Sequence, residues 1–505
     1  MRLKLLLFIL LMISNAFLFL KAQQVNTLYF MEDVPVRHML NPSFQPVSDF
    51  YLSLPIIGCT QFNISNNSLS LKDIIYNVNG QTISFLNPLG DIPRFFNTLK
   101  SNTTFRTDFQ TNLFSVGFRH KAAYWTFSLT DKMNGTVNLP KDIFSISLFG
   151  TPNPQNNSYD FTKLEGNISA YTEAAIGYSK QIDNQWLIGG KIKLLVGSVN
   201  ISNNNNGFLL DAGVEKWHLN GTGIANYSGP VIIHTTNNFQ SFTYSTPSNL
   251  IDWLKPSGLG AGIDLGVEYV FDKNIKLSAA ITDAGFIRWT RNVQNYHYGV
   301  DYAFNGIKLF DSNSTINTFQ DVFNQFVLNN GLVDSIATAF GKTNGSTIKS
   351  ASFTTATTAK INLGFEYGIL NNKISFGLLS YSQLFNKTLT KELTFSVNTR
   401  PYNWLNASVS YSVLNGRMSS IGAGIGLKTG IFQWFAAADF IPFQKATLTL
   451  SNLGVNYPDI NIPIPYNSTS FNLSAGMNIV LNNKIKNKKG LVHSKKEQDC
   501  NCEWK

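Results

Sequence analysis

Two glycine-rich runs come nearest to a catalytic or binding spacing in this chain. Gly258-x-Gly260-x-Gly262 and Gly422-x-Gly424-x-Gly426-Leu427-Lys428-Thr429 superficially resemble phosphate-binding loops. Such a loop needs G-x-G-x-x-G, or a G-K-[ST] ending, at a tight turn into a helix. Neither spacing is present, and both runs alternate glycine with larger residues as a strand does. Glycine on one face of a strand leaves room for a plug or for pore contents, so the nucleotide reading is set aside. The six histidines, His38, His120, His218, His234, His297 and His493, are scattered with no H-E-x-x-H, and there is no G-x-S-x-G elbow. Cys500-x-Cys502 has no further metal ligands nearby. The residues therefore offer no support for an enzyme, a metal site or a cofactor.

The charged residues say more. Glu173, Asp211, Glu215, Asp264, Glu268 and Glu366, with Lys191, Lys193, Lys276 and Lys428, fall on the polar faces of alternating stretches. On the lipid face of a membrane strand each would cost up to about 2–4 kcal/mol at mid-bilayer, so they are expected to face a lumen. Their mixed signs predict interior salt-bridge networks rather than a strongly ion-selective ring.

The elements that must carry these charges are strands. In Gly258 to Trp289, Ile263, Leu265, Val267 and Tyr269 alternate with Gly262, Asp264, Gly266 and Glu268. After the turn Asp272–Asn274, Ile275, Leu277, Ala279 and Ile281 alternate with Lys276, Ser278, Ala280 and Thr282. Side chains alternate with period two along a strand, and each run is about the 9–11 residues that a tilted transmembrane strand needs. Ile361–Ile369 and Ile421–Lys428 repeat the pattern. The expected fold is all-β, an antiparallel transmembrane barrel of 14–16 strands. Sixteen runs can be listed, two of them a hairpin of Phe208–Asn220 and Thr222–His234 joined by an Asn220-Gly221 turn. Fourteen is the alternative if the first strands form a plug.

Turn lengths predict sidedness. Short turns at 181–184, 220–221, 272–274, 370–372, 400–403 and 429–430 would be periplasmic, and the long loops 131–167, 235–258, 286–356 and 441–469 extracellular. Two short links, 385–387 and 415–418, fall on the extracellular side and weaken the rule without breaking it. Both termini then lie in the periplasm. Tyr124, Trp125, Trp186, Tyr269, Trp289, Tyr402, Trp404, Trp434 and Phe435 sit near strand ends and are expected in the interfacial girdles.

Composition fits this class. Charged residues are 14%, below the roughly 25% of ordinary soluble domains. Mean hydropathy is −0.04, as expected when only alternate residues meet lipid. Residues 1–22 read as a signal peptide, with Arg2 and Lys4 before the apolar Leu5–Leu20 and with Ala22 at the cleavage site. Residues 23–48, rich in proline and poorly periodic, read as a periplasmic lead-in or plug, 49–483 as the barrel, and 484–505 as a basic periplasmic tail. The net charge of +10 shrinks to about +3 once signal and tail are set apart, so no basic stripe argues for nucleic acid. Three cysteines give no disulfide framework. Within 286–356, Phe319, Val322, Phe323 and Phe326 recur at helix spacing and suit a lid or a plug.

The segments LNPSFQP, GAGIDLGVEYVFDKNIKLSAAITDAGFIRW and TAKINLGFEYGILNNKISFGLLS resemble an uncharacterised outer-membrane barrel family of Bacteroidetes-type bacteria. That family is loosely similar to PorV/PorP-type secretion-associated barrels and to FadL-like transporters. The resemblance implies fold and location, and no catalytic or ligand residue is carried across. Two functions follow as expectations. A non-enzymatic channel or uptake port for a small solute would have a plugged lumen with an apolar pocket under the outer loops. An accessory of a secretion or envelope-assembly machine would show a filled lumen and an exposed surface for a periplasmic or secretion partner.

Overall fold

The computed structural model describes residues 26–79, 81–150, 158–213, 216–236, 241–304, 347–385, 388–414, 417–439, 446–448, 460–462 and 470–482. Residues 1–22, read as a signal peptide, the basic tail with Cys500 and Cys502, Glu215, and Phe319, Val322, Phe323 and Phe326, expected on a helix, lie outside them. The described chain forms a closed antiparallel barrel of 14 strands. Its wall runs β1 (Phe50–Ser53, resumed at Thr60–Asn66), β2 (Asn102–His120), β3 (Ala123–Pro140), β4 (Glu165–Gln181), β5 (Trp186–Ala212), β6 (Gly258–Asp272) and β7 (Ile275–Trp289). It continues with β8 (Phe353–Ala356, resumed at Ala359–Ile369), β9 (Ile374–Phe385), β10 (Thr388–Tyr402), β11 (Leu405–Leu414), β12 (Arg417–Thr429), β13 (Phe432–Ala438) and β14 (Ser470–Leu481). Each strand pairs with its neighbour, and β1 closes the ring by pairing with both β2 and β14. No helix among the described residues is long and apolar enough to cross a membrane.

Alternation builds the wall. Leu265 is 57% exposed while its neighbour Asp264 is 1% exposed. Ile176, Ile192, Leu194, Val409 and Ile425 likewise project outward, whereas Ser410, Ser412, Asn398 and Thr394 are buried inside. A barrel with an apolar belt outside and a polar interior satisfies every backbone group without water, which is what crossing a membrane requires. This is an outer-membrane-type barrel.

The count of 14 arises differently from the sequence reading. The first strand belongs to the wall. The Phe208–Asn220 and Thr222–His234 hairpin does not form, because β5 runs on for 27 residues and rises beyond the wall. Its overhang pairs with Trp217–Ser228, which pairs in turn with Gln294–Phe304. Asn220-Gly221 is therefore no turn. Gly221 sits inside a strand at a register shift, where a Cβ would meet the Phe208 ring at 2.6 Å. Packing of Phe208 on that bare backbone outweighs the local turn preference.

The turns at 121–122, 182–185, 273–274, 370–373, 403–404 and 430–431 lie at one end of the barrel, and the long connections lie at the other. Short helices at Leu71–Ile74 and Ile92–Thr98 fill the first long connection, and Lys141–Phe149 follows β3, which extends ten residues past the expected end at Thr130. Trp125, Trp186, Tyr402, Trp404 and Trp434 are exposed near the short-turn end, with Tyr269 beside Trp186 at a ring separation of 4.5 Å. Tyr124, Trp289 and Phe435 depart from the expected girdle. Each occupies the inward parity and is buried, at 1%, 0% and 4% exposure.

Replacing Leu265 by Arg should destabilise the assembled barrel by about 2–4 kcal/mol, because the new charge would face hydrocarbon near mid-bilayer. Leu265→Ile should assemble like the parent. Heat-modifiable gel mobility reads the assembled fraction, and equal mobility for both variants would refute the outward assignment.

Candidate functional site

The lumen is the site, and it is filled in layers. From the short-turn end inward runs the chain's own segment 26–48, with two 3-10 turns at Asn26–Phe30 and Pro35–Met39. Leu28, Tyr29, Phe30, Met31, Val34, Val36, Leu40 and Phe44 form one buried apolar cluster with Leu379, Tyr381, Phe435 and Ala437 of the wall. The wall is bare where the segment touches it. A Cβ at Gly189 would lie 2.2 Å from the Pro42 carbonyl oxygen, one at Gly266 would lie 2.0 Å from Asn41 Oδ1, and one at Gly377 would lie 2.6 Å from the Phe30 ring. Gly424, from one of the runs that resembled a phosphate loop, gives way to Met31 in the same manner.

Polar groups fix the segment's register. Asn26 Nδ2 donates to Glu392 Oε2 at 3.1 Å and to Thr394 Oγ1 at 2.9 Å. The backbone N–H groups of Asn26 and Thr27 both donate to the Asp439 carboxylate. The Tyr29 and Ser278 hydroxyls meet at 2.9 Å, His38 Nε2 and the Tyr51 hydroxyl at 2.5 Å, and Asn362 Nδ2 donates to the Leu40 carbonyl at 2.8 Å. Glu32 is clamped between Lys276 of β7 and Arg400 of β10, the latter at 2.5 Å. Arg400 also lies 3.9 Å from Asp33.

Against Met39 and Leu40 of this plug sits a buried ionic cluster. Lys132 pairs with Glu173 at 2.8 Å and with Asp283 at 2.7 Å. Lys193 pairs with Glu173, Asp264 and Asp283 at 3.3, 2.7 and 2.6 Å, and Lys360 reaches Asp283 at 3.1 Å. A bulge makes the cluster. Between the paired residues Ile263/Ala284 and Leu265/Ile281, β7 carries one extra residue, and Asp283 takes a left-handed φ of 60° that turns its carboxylate inward. Asp tolerates this region better than most residues. Asp264 Oδ1 accepts from the Asp283 N–H at 2.7 Å and locks the bulge. The cluster borders a cavity of about 30 Å³, floored by Met39 and Leu40 of the plug. Beyond the cluster, Tyr171, Leu195, Ile287 and Trp289 form an apolar layer toward the long-loop end.

Glu173, Lys193, Asp264, Lys276 and Glu366 all stand in the interior and in ion pairs. Lys191 and Glu268 are buried there without an ion pair among the described residues. Lys428 is half-buried beside the short turn at 430–431 and makes no ion pair among the described residues. Asp211 is a correction. It stands exposed on the β5 overhang, in register with His218, because β5 has left the wall by that point.

Three cluster members were absent from the sequence reading. Lys132 lies in 131–140, where loop length alone predicts an extracellular loop and the structure extends β3. Lys360 shares its parity with Asn362 and Glu366 and could have been named with them. Asp283 carried the clearest signal. Continuing the alternation from Ile275 would set it on the lipid face, and the cost of a charge there calls for a bulge.

Removing one partner from such a cluster leaves the other charges buried and uncompensated. Lys193→Met should therefore destabilise the barrel by about 3–5 kcal/mol, read as a lower urea midpoint. A midpoint unchanged from the parent would refute the network. Gly377→Phe should evict Phe30 and loosen the plug, so that a Cys placed at Leu28, in a chain whose native cysteines are serine, becomes reactive to a water-soluble maleimide. Continued protection in the Gly377→Phe chain would refute the close fit.

A search of the curated proteins finds no match. Among solved structures the chain is similar to the Ralstonia pickettii toluene transporter TbuX, at 7% identity over 89% of this chain and 94% of that one, with a TM-score of 0.38. It is similar to a Pseudomonas aeruginosa FadL homologue at 10% identity over 91% and 98%, with a TM-score of 0.34. It is also similar to the translocator domain of the autotransporter NalP from Neisseria meningitidis, at 8% identity over 86% and 88%, with a TM-score of 0.26. A family model matches residues 42–439, which span the end of the plug segment from Pro42, the interior cluster and the wall as far as β13, and the chain belongs to that family, the family of unknown function DUF5723.

Proposed function

We propose that this protein is a non-enzymatic outer-membrane port for a small solute, closed at rest by its own N-terminal segment, with both termini in the periplasm. The plug seated against bare wall carries this reading. About eight strands make a barrel that side chains alone can fill, and wider barrels enclose a lumen. A wall of 14 strands needs a separate stopper, and residues 26–48 supply it from the short-turn end. Polar clamps at Glu32, Asn26 and Thr27 hold the plug at discrete points on β7, β10 and β11. Such clamps can exchange for water more readily than an all-apolar contact.

The second reading is a scaffold or accessory barrel of a secretion or envelope-assembly machine, similar to the PorV/PorP type. The filled lumen favours it. The interior cavities beside the ionic cluster measure only about 30 Å³ each. On the port reading the plug must therefore move.

A disulfide between Met31→Cys and Gly424→Cys, in a chain whose native cysteines are serine, separates the two readings. Liposome swelling with solutes of graded size should show flux in the reduced protein and none in the oxidised one. Deleting residues 26–48 should leave the wall assembled and raise the flux about tenfold or more, as expected when the stopper of a wide barrel is removed. An assembled deletion barrel as tight as the parent would overturn the port reading and leave the scaffold.

A further inference from the structure

We infer that the outer wall carries a binding site for an anionic phospholipid of the leaflet at the short-turn end. This rests on reading the barrel as membrane-spanning and is independent of whether the lumen conducts. Across β4 to β8 the lipid-facing surface sinks into a groove of about 590 Å³. Ile188, Gly190, Leu265, Val267, Ala279 and Ile281 are its main lining. The groove exists because two outward positions are small. Gly190 is unlike its neighbour Gly189, where the plug leaves no room for a Cβ. A Cβ at Gly190 would meet nothing nearer than 3.4 Å, an ordinary contact, so a larger side chain would fit there and fill the depression. Ala279 on β7 keeps the opposite side low.

What lies next to the groove selects the occupant. On the short-turn side it is rimmed by aromatic rings. Tyr178 lines it and packs edge-on against Trp125 at 4.8 Å, and Trp186 leans on Tyr269 at 4.5 Å. Such rings mark the level of the headgroups. On β4 the outward residues then read Ile176, Tyr178, Lys180, all exposed. Hydrocarbon, interface and cation follow one another toward the short-turn end, about 6–7 Å apart along the strand. An acyl chain lying in the groove would place its phosphate beside the Lys180 ammonium. A lipid with a net negative headgroup gains that attraction, and a zwitterionic one gains less.

Native mass spectrometry of the whole barrel in detergent tests this, with phosphatidylglycerol and phosphatidylethanolamine added in competition. The parent should bind phosphatidylglycerol. Gly190→Leu with Ala279→Leu should weaken binding about tenfold, the equivalent of losing the burial of about two methylenes. Lys180→Gln should lower the preference for phosphatidylglycerol about fivefold, the effect of one lysine at a membrane surface. Val409→Leu, an outward enlargement away from the groove, should bind as the parent does. Equal binding by all variants, or no binding by the parent, would overturn the proposal. So would a groove that holds a second copy of the chain, seen as dimers that Gly190→Leu dissolves. Heat-modifiable mobility confirms that each variant has assembled, and unchanged plug protection separates loss of this site from loss of the lumen architecture.

Discussion

Everything in this molecule depends on the pairing of β1 with β14. Hydrocarbon offers no partner to a backbone N–H or C=O, so a sheet that crosses a membrane cannot leave an edge. Closure of the first and last wall strands removes that edge. It also fixes the circumference at 14 strands, and a circumference of that size creates an interior that must be dealt with.

The chain deals with it by folding three kinds of matter into the lumen, each with its own demand on the wall. The plug needs bare backbone to approach, which is why glycines recur on the inner faces of β5, β6, β9 and β12. The ionic cluster needs charges from six strands, β3 to β8, to converge, which the β7 bulge allows by turning Asp283 out of its lipid-facing phase. The apolar layer of Tyr171, Leu195, Ile287 and Trp289 needs neither and packs as a small core. Each layer removes water from the one below it, so the ion pairs act at a lower dielectric than they would in an open pore.

The inner and outer faces of the same short stretch serve opposite ends. Gly189 and Gly190 are adjacent, yet the first admits Pro42 of the plug and the second opens a groove toward lipid. Period-two alternation lets a single wall position satisfy the lumen on one side and the bilayer on the other. Glu32 shows the same economy within the plug, where one carboxylate ties β7 to β10 across the interior.

The sequence by itself determined the wall. Alternation in Gly258–Trp289 and Ile361–Ile369 was legible because burial in lipid and burial in a lumen impose opposite chemistry on successive residues. That contrast needs no knowledge of the partner strand. It placed Glu173, Lys193, Asp264, Lys276 and Glu366 on the inner face. Only the tertiary structure decided how the lumen is filled and what lies beyond the wall. The plug has no period, so nothing local says that Leu28, Tyr29 and Met31 meet Leu379 and Phe435 some 350 residues or more away. The Asn220-Gly221 turn failed because Phe208 packs on Gly221, a contact that exists only once β5 overshoots the barrel. Asp211 left the interior for the same reason. Parity along a strand says which face a residue takes, but the height at which the strand leaves the membrane is set by its neighbours.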